Sequence, residues 1–259
     1  MNGKKAVRWR GVTIGEGLPK VIVSVMGVSV DEIAQSSKRA ADAGAQIIEL
    51  RADSLSAMPT TEAAIAACAA ARGAAGELPL LFTLRTKRDG GAGSADAEAY
   101  EALLIGVIES GTCEAVDVEL SVGENAFSRI VRAAHERGVS VVGSSHEFGA
   151  IGSAKTAGEW LRRQAALGAD ICKAAVMPHS REEAFLLMAE MAKAGGEIAA
   201  PHVAIVMGEM GAASRVCAAS LGSCMTFGAA GKASAPGQIE AGKLRKMLAA
   251  LGAGGGQNA

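Results

Sequence analysis

The chain has 259 residues, of which 49% are hydrophobic and 20% are charged, and this balance excludes a chain that is disordered over most of its length. Its 26 basic and 27 acidic residues leave a formal net charge of −1, which gives no general reason to expect nucleic acid or a membrane surface as a partner. No apolar run approaches the ~20 residues of a membrane-spanning helix.

Short apolar runs recur along the chain and alternate with alanine-rich segments of helical period. The segment 6–17 predicts a short hairpin before the first run. The eight runs are VIVSV (21–25), QIIEL (46–50), LLFTL (80–84), AVDVEL (115–120), VSVVGS (139–144), ICKAAV (171–176), HVAIVM (202–207) and CMTF (224–227). They predict an α/β fold, a single (β/α)8 TIM barrel over residues 1–251, with a disordered tail at 252–259. A doubly wound open sheet is the alternative, but the first run lacks a following GxGxxG segment.

Charged residues follow several of these runs, at the strand ends where barrels of this kind carry their chemistry. The second run leads into Glu49 and Arg51, the third into Arg85, and Arg215 lies beyond the seventh. Three arginines converging on one rim indicate a clamp for a carboxylate or a phosphate. Glu49 is expected in the barrel wall, where it could hold Arg51 or accept a hydrogen bond from a substrate hydroxyl.

One lysine lies inside an apolar run. Lys173 could be a snorkelling lysine that pairs with Asp170. It could also be a Schiff-base nucleophile, because an apolar setting and nearby cations both favour the neutral amine. His146 follows the preceding run and would lie on the adjacent strand, where an imidazole is suited to general acid–base catalysis. For Asp117 and Glu119 we favour a structural role as partners of buried cations.

The cysteines and histidines give no sign of a metal or disulfide framework. The five cysteines are scattered in apolar surroundings without a CxxC pair, and the four histidines lack HxxxH spacing. We therefore expect a reduced, cytoplasmic protein without a metal site.

Several motifs occur in one continuous order along nearly the whole chain. They include IIELRAD (47–53), LLFTLRTKRDGG (80–91), VVGSSHEF (141–148), ADICKAAVMP (169–178) and KASAPGQI (232–239). Together they resemble the type I 3-dehydroquinate dehydratase family of the shikimate pathway. The resemblance implies a homodimeric hydro-lyase that converts 3-dehydroquinate into 3-dehydroshikimate without a metal or cofactor.

The resemblance also implies roles for individual residues. Lys173 would form the imine with substrate, and His146 would transfer the protons. The implied substrate-binding residues are Ser24, Glu49, Arg51, Arg85, Arg215, Ser234 and Gln238. We expect the loop that carries the last of these to close over bound substrate and exclude water from the imine.

Three positions depart from the family pattern. Leu50 stands where an aromatic residue is common, Asp89 where glutamate is usual, and Glu147 where aspartate follows the histidine. These departures concern the surroundings of the catalytic groups rather than the groups themselves. Two alternatives stay open: another imine-forming lyase of the class I aldolase kind, and an inactive barrel that binds a small carboxylate.

Overall fold

The computed structural model describes residues 5–231 and 235–252 of the chain. Its strands follow the predicted order. They are β1 (Val7–Trp9), β2 (Val12–Ile14), β3 (Lys20–Val25), β4 (Ile47–Arg51), β5 (Leu80–Thr83), β6 (Ala115–Glu119), β7 (Ser140–Glu147), β8 (Ile171–Val176), β9 (His202–Val206), β10 (Met225–Ala229) and β11 (Ile239–Glu240). The α-helices are α1 (Val30–Asp42), α2 (Thr61–Ala75), α3 (Ala97–Ser110), α4 (Glu124–Glu136), α5 (Ala154–Ala166), α6 (Arg181–Glu197), α7 (Ala212–Val216) and α8 (Ala241–Gly252).

The strands β3 to β10 form a closed parallel barrel. Each pairs in parallel with the next from β3 to β9, and β10 pairs with β3. Between β10 and β9, the Cys224 N–H donates to the His202 carbonyl at 2.7 Å and the Ala204 N–H donates to Ser223 Oγ at 3.1 Å. The two residues of β11 extend the sheet by pairing with β10. The predicted (β/α)8 barrel and hairpin are both confirmed.

Alternation along the strands separates two apolar layers, because successive side chains point to opposite faces. One layer fills the space between strands and helices and contains Ile48, Phe82 and Val141. The inner layer is built from the next residue along each strand, and its members include Ile22, Ile47, Leu81, Ala115, Val142, Ile171, Val203 and Met225. A barrel of this size is thus a packed core with its open rim at the C-terminal end of the strands.

The hairpin β1–β2 covers the opposite end of the barrel. The two strands are antiparallel, with Val7 opposite Ile14 and Trp9 opposite Val12. Trp9 and Ile14 are buried and belong to the same cluster as the inner barrel residues. The hairpin therefore closes the N-terminal end.

Polar caps fix where several helices begin. Side-chain oxygens accept hydrogen bonds from backbone N–H groups of the first turn in five cases, and the capping residues are Ser29, Thr60, Asp96, Ser153 and Ser180. Each cap follows a loop at the C-terminal end of a strand. The caps therefore set the lengths of the loops that surround the open rim.

The helix α8 ends at Gly252, which is helical rather than the first residue of the predicted tail. Residues 253–259 of that tail lie outside the described residues. Within the described part of the chain, no helix combines the length and apolarity needed to cross a bilayer.

The hairpin should contribute directly to stability. We expect Trp9→Ala to lower the free energy of unfolding by about 3–5 kcal/mol, because it removes a large buried side chain and leaves a cavity at the barrel base. Urea denaturation followed by circular dichroism measures the change. Phe185→Ala is the matched control, since Phe185 is 66% exposed and its truncation should change stability by no more than about 0.5 kcal/mol. Equal losses for the two variants would contradict the role given to the hairpin.

Candidate active site

The predicted site residues meet in one pocket at the C-terminal rim. Lys173 and His146 lie on β8 and β7, which pair with each other as their order along the chain predicts. The predicted substrate-binding residues that line the same pocket are Ser24, Glu49, Arg51, Arg85, Arg215 and Gln238. Ser234 lies outside the described residues. The pocket is also lined by residues for which no role was predicted, namely Asp89, Gly90, Phe148, Ala175, Ile205, Met207, Phe227 and Ala235.

Lys173 points into the barrel and is only 5% exposed. Its Nζ donates to Asp117 Oδ2 at 3.4 Å, lies 4.0 Å from Glu49 Oε1, and lies 4.6 Å from the centroid of the Phe227 ring. Asp170, the partner considered from the sequence, accepts a hydrogen bond from the backbone of β7 instead. Burial lowers the pKa of the Lys173 ammonium, although the nearby carboxylates oppose this shift. At a given pH, the deprotonated amine is thus a larger fraction here than in a lysine exposed to water.

Arg85 is the centre of a buried ionic network beside the lysine. Its guanidinium donates to Asp117 at 2.9 Å, to Glu119 at 2.8 Å and to Ser144 Oγ at 3.0 Å. The interpretation of the two carboxylates as partners of a buried cation is confirmed. Burial opposes the charge on Arg85, but the carboxylates raise its pKa well above the usual value. Burial also opposes the charge on Asp117, yet Arg85 and Lys173 bring its pKa below the usual range.

His146 is paired with a carboxylate that sequence reasoning did not assign to the site. Its Nδ1 lies 3.1 Å from Asp89 Oδ2, which also accepts the His146 backbone N–H at 3.1 Å. Burial lowers the pKa of His146, and the charges of Arg85 and Lys173 add to the effect. A neutral imidazole that donates its Nδ1 proton to Asp89 keeps the Nε2 lone pair as a proton acceptor. The pair can therefore act as a general base.

Glycines after Asp89 allow this pairing. Gly90 has a φ of +82°, and a Cβ on it would lie 2.0 Å from the Phe148 ring. A Cβ on Gly91 would lie 2.2 Å from the carbonyl oxygen of Arg85. Only a loop without side chains at these positions can fold back so closely. Asp89, although one methylene shorter than glutamate, thereby still reaches the histidine. In the sequence, the two glycines after Asp89 are the feature that could have predicted this tight turn.

Arg215 is a buried cation without a counter-ion in the described residues. It is 1% exposed, and its guanidinium donates to the carbonyl oxygens of Phe227 at 3.3 Å and Pro236 at 3.1 Å. Its Nε is buried with no hydrogen-bond partner within residues 5–231 and 235–252. Burial lowers the pKa of Arg215 to about 10. An anion entering the pocket would supply the charge and the acceptor that this arginine lacks.

Of the two roles considered for Glu49, the pairing with Arg51 is not found. Arg51 donates twice to Asp53, with both distances 2.8 Å, and does not rely on Glu49. Glu49 accepts hydrogen bonds from Ser24 at 2.5 Å and Thr83 at 3.0 Å. Arg51 is thus a neutralised arginine at the rim, and Glu49 is a wall residue that faces the lysine.

Two of the departures from the family pattern lie away from the reacting groups. Leu50 is fully buried in the layer between the barrel and its helices, because it alternates with Glu49 along β4. Glu147 Oε1 accepts the Gly149 N–H at 2.7 Å, so its side chain supports the loop after β7. The carboxylate that pairs with His146 is Asp89, from a different loop.

Comparison with known sequences identifies the family. Residues 21–254 match the family described as type I 3-dehydroquinase. A 3-dehydroquinate dehydratase of Klebsiella pneumoniae subsp. pneumoniae is 39% identical over 244 residues, which are 94% of this chain and 97% of the relative. One of Salmonella agona is 35% identical over 248 residues, 95% of this chain and 98% of the relative.

Solved structures agree with the sequence comparison. A type I 3-dehydroquinate dehydratase of Clostridium difficile, described with covalently modified comenic acid, has a TM-score of 0.92 at 32% identity and covers 97% of this chain and 99% of its own. A 3-dehydroquinate dehydratase of Geobacillus kaustophilus has a TM-score of 0.91 at 32% identity, with coverage of 97% and 98%. This protein therefore belongs to the type I 3-dehydroquinase family.

Proposed function

We propose that this protein dehydrates 3-dehydroquinate to 3-dehydroshikimate through an imine between the substrate ketone and Lys173. The observation that carries the proposal is the pocket itself, in which a buried amine lies beside a histidine on the paired strand and faces an unneutralised arginine. Family membership supports the same reaction, because the relatives are named 3-dehydroquinate dehydratase.

The substrate carboxylate binds Arg215. This is the buried guanidinium in the pocket that lacks a counter-ion among the described residues, and a carboxylate can satisfy both its charge and its Nε. Arg85 and Arg51 already hold carboxylates, so they contribute positive potential and hydrogen bonds to hydroxyl groups. Glu49 and Gln238 line the same pocket and contribute further hydrogen bonds to the hydroxyls.

The reaction begins with attack of the neutral Lys173 amine on the C3 ketone. The carbinolamine hydroxyl takes up a proton from solvent and leaves as water, and a carbon–nitrogen double bond with a positive charge remains. This iminium withdraws electrons from C2 and acidifies its hydrogen. Asp117 and Glu49 lie close enough to Nζ to stabilise the positive charge, and the ring of Phe227 does the same through its π face.

His146 then carries the protons. Its neutral imidazole removes the C2 proton, which leaves an enamine. The enamine expels the C1 hydroxyl, and the imidazolium returns the proton to it, so that water leaves and the C1–C2 double bond forms. Asp89 holds the imidazole in one orientation and stabilises the transient imidazolium. Hydrolysis of the imine releases 3-dehydroshikimate and regenerates Lys173.

The homodimer and the cytoplasmic location stay predictions, as does closure of the loop that contains Gln238. The part of that loop within the described residues already contacts the pocket, because the Pro236 carbonyl accepts hydrogen bonds from Arg215 and from the Gly208 N–H. Neither of the two alternative functions is favoured by a specific contact in the pocket.

Borohydride reduction tests the imine. With 3-dehydroquinate present, we expect a stable adduct on Lys173, found by mass spectrometry of peptides, and Lys173→Met should abolish both the adduct and the absorbance of the conjugated product. Lys155→Met is the control, since Lys155 is exposed on α5. Product formation with an unmodified Lys173 would overturn the covalent route, whereas absence of product from the intact protein would overturn the reaction.

Substitution of His146 separates proton transfer from imine formation. We expect His146→Ala to keep the borohydride adduct but to lower kcat by about 10²–10⁴-fold, the usual contribution of a general acid–base group. Glu147→Gln should leave kcat near that of the unaltered protein, because Glu147 contacts the following loop, and Asp89→Asn should fall between the two. Unimpaired turnover in His146→Ala would exclude this histidine as the base.

The pH dependence of adduct formation reports the ionisation of Lys173. Arg85 lowers the pKa of Lys173, whereas Asp117 raises it. Because the reactive amine appears above its pKa, Arg85→Gln should move the midpoint of adduct formation to higher pH, and Asp117→Asn should move it to lower pH. Arg85→Lys keeps the positive charge and is the control. Shifts of the same sign in Arg85→Gln and Asp117→Asn would contradict the electrostatic account.

A further inference from the structure

We infer that Gln164 is a positioning residue for the reaction, which holds the backbone of Lys173 and ties the two strands that carry the lysine and the histidine. The inference rests on the proposed function and deepens it. Gln164 lies on α5, outside the barrel, and does not line the pocket. Its action on the chemistry would therefore pass through the backbone of Lys173 and through Ser145.

The side-chain amide of Gln164 pairs with both backbone groups of the lysine. Its Oε1 accepts the Lys173 N–H at 2.9 Å, and its Nε2 donates to the Lys173 carbonyl at 3.0 Å. The same Nε2 donates to Ser145 Oγ at 3.0 Å. Gln164 is fully buried, so each of these bonds is made away from water. A side chain of the helix thus binds the lysine as the backbone of a neighbouring strand would.

The local packing makes room for this amide. Gly143 lies on β7, and a Cβ on it would lie 3.0 Å from the Gln164 Cβ and 3.0 Å from the Phe127 ring. A larger residue at position 143 would crowd α5 at the Cβ of Gln164. The absence of a side chain at Gly143 on β7 therefore leaves room for the long polar side chain of Gln164 on α5.

The contact lies level with the catalytic groups. Ser145 directly precedes His146 on β7, and side chains alternate between the two faces of a strand. Ser145 therefore meets Gln164 on the outer face while His146 points into the pocket. One amide fixes the backbone of the nucleophile and the residue next to the base, so it sets the distance between the amine and the imidazole.

Loss of the amide should change rate more than substrate binding. In the proposed binding mode the substrate carboxylate and hydroxyls contact residues outside β7 and β8, whereas a misplaced amine or imidazole affects only the reacting atoms. Displacement by about 1 Å can lower a rate by about 10²-fold. Since the amide is uncharged, it should not alter the ionisation of Lys173 directly.

Gln164→Met is the test, because methionine has a similar length and no hydrogen-bonding amide. We expect kcat for 3-dehydroquinate to fall by about 10–100-fold with KM changed by less than about twofold. The borohydride adduct should still form on Lys173, more slowly, with an unchanged pH midpoint. A wild-type kcat per folded molecule, or an effect confined to a higher KM, would overturn the inference.

Ser223→Ala is the matched structural control. Ser223 is also buried and bridges two strands, since its Oγ accepts the Ala204 N–H at 3.1 Å and donates to the Met225 carbonyl at 2.9 Å, but it lies at the far end of the barrel. We expect a lower melting temperature with kcat unchanged. An equal loss of kcat in Ser223→Ala and Gln164→Met would show a general structural effect and overturn the inference.

Ser145→Ala covers the case in which Gln164→Met does not fold. It removes one of the three bonds of the amide, so kcat should fall by a few fold at constant KM, and an unchanged kcat would count against the inference. The unaltered protein is assayed in parallel. If it gives neither product nor adduct, the proposed function fails and the inference fails with it. If it is active, the results for the variants test the inference separately from the proposed function.

Discussion

The burial of one amine at the open end of the barrel is the constraint on which the site depends. An exposed lysine is protonated and cannot attack a ketone, and removal from water is the largest influence that lowers the pKa of Lys173. That removal requires a packed interior beneath the amine, which the inner layer and the hairpin supply. The barrel that stabilises the fold therefore also provides the apolar surroundings of the proposed nucleophile.

The charges around the amine are arranged so that most of them cancel before substrate arrives. Arg85 is held by Asp117 and Glu119, and Arg51 is held by a carboxylate two residues further along. Among the arginines that line the pocket, Arg215 is the one without a carboxylate in the described residues. The unpaired guanidinium of Arg215 is thus one place in the pocket where an incoming negative charge would gain a partner, which suits a monocarboxylate.

The period of the apolar runs predicted the barrel well, because strands buried on both faces have few polar residues to obscure them. The strand-end rule then brought Lys173, His146 and the arginines to one rim. The individual ion pairs were beyond this reasoning. The glycines after Asp89 signal a tight turn but do not say that it folds back to His146, and nothing in the sequence says that Arg51 pairs with Asp53 rather than with Glu49. Such contacts depend on turn geometry and on glycines whose effect appears only in three dimensions.

Activation of a lysine by burial creates a second problem, which the position of Gln164 addresses. A charged ammonium is held in place by strong ionic contacts, but a neutral amine attracts carboxylates weakly and has four rotatable bonds. The proposed reaction needs this amine in a fixed place relative to the imidazole. The backbone is the part of the lysine that can be held without restoring its charge. An uncharged amide bonded to Lys173 N–H and carbonyl does this, whereas a carboxylate or a second cation in the same place would itself shift the pKa of Lys173.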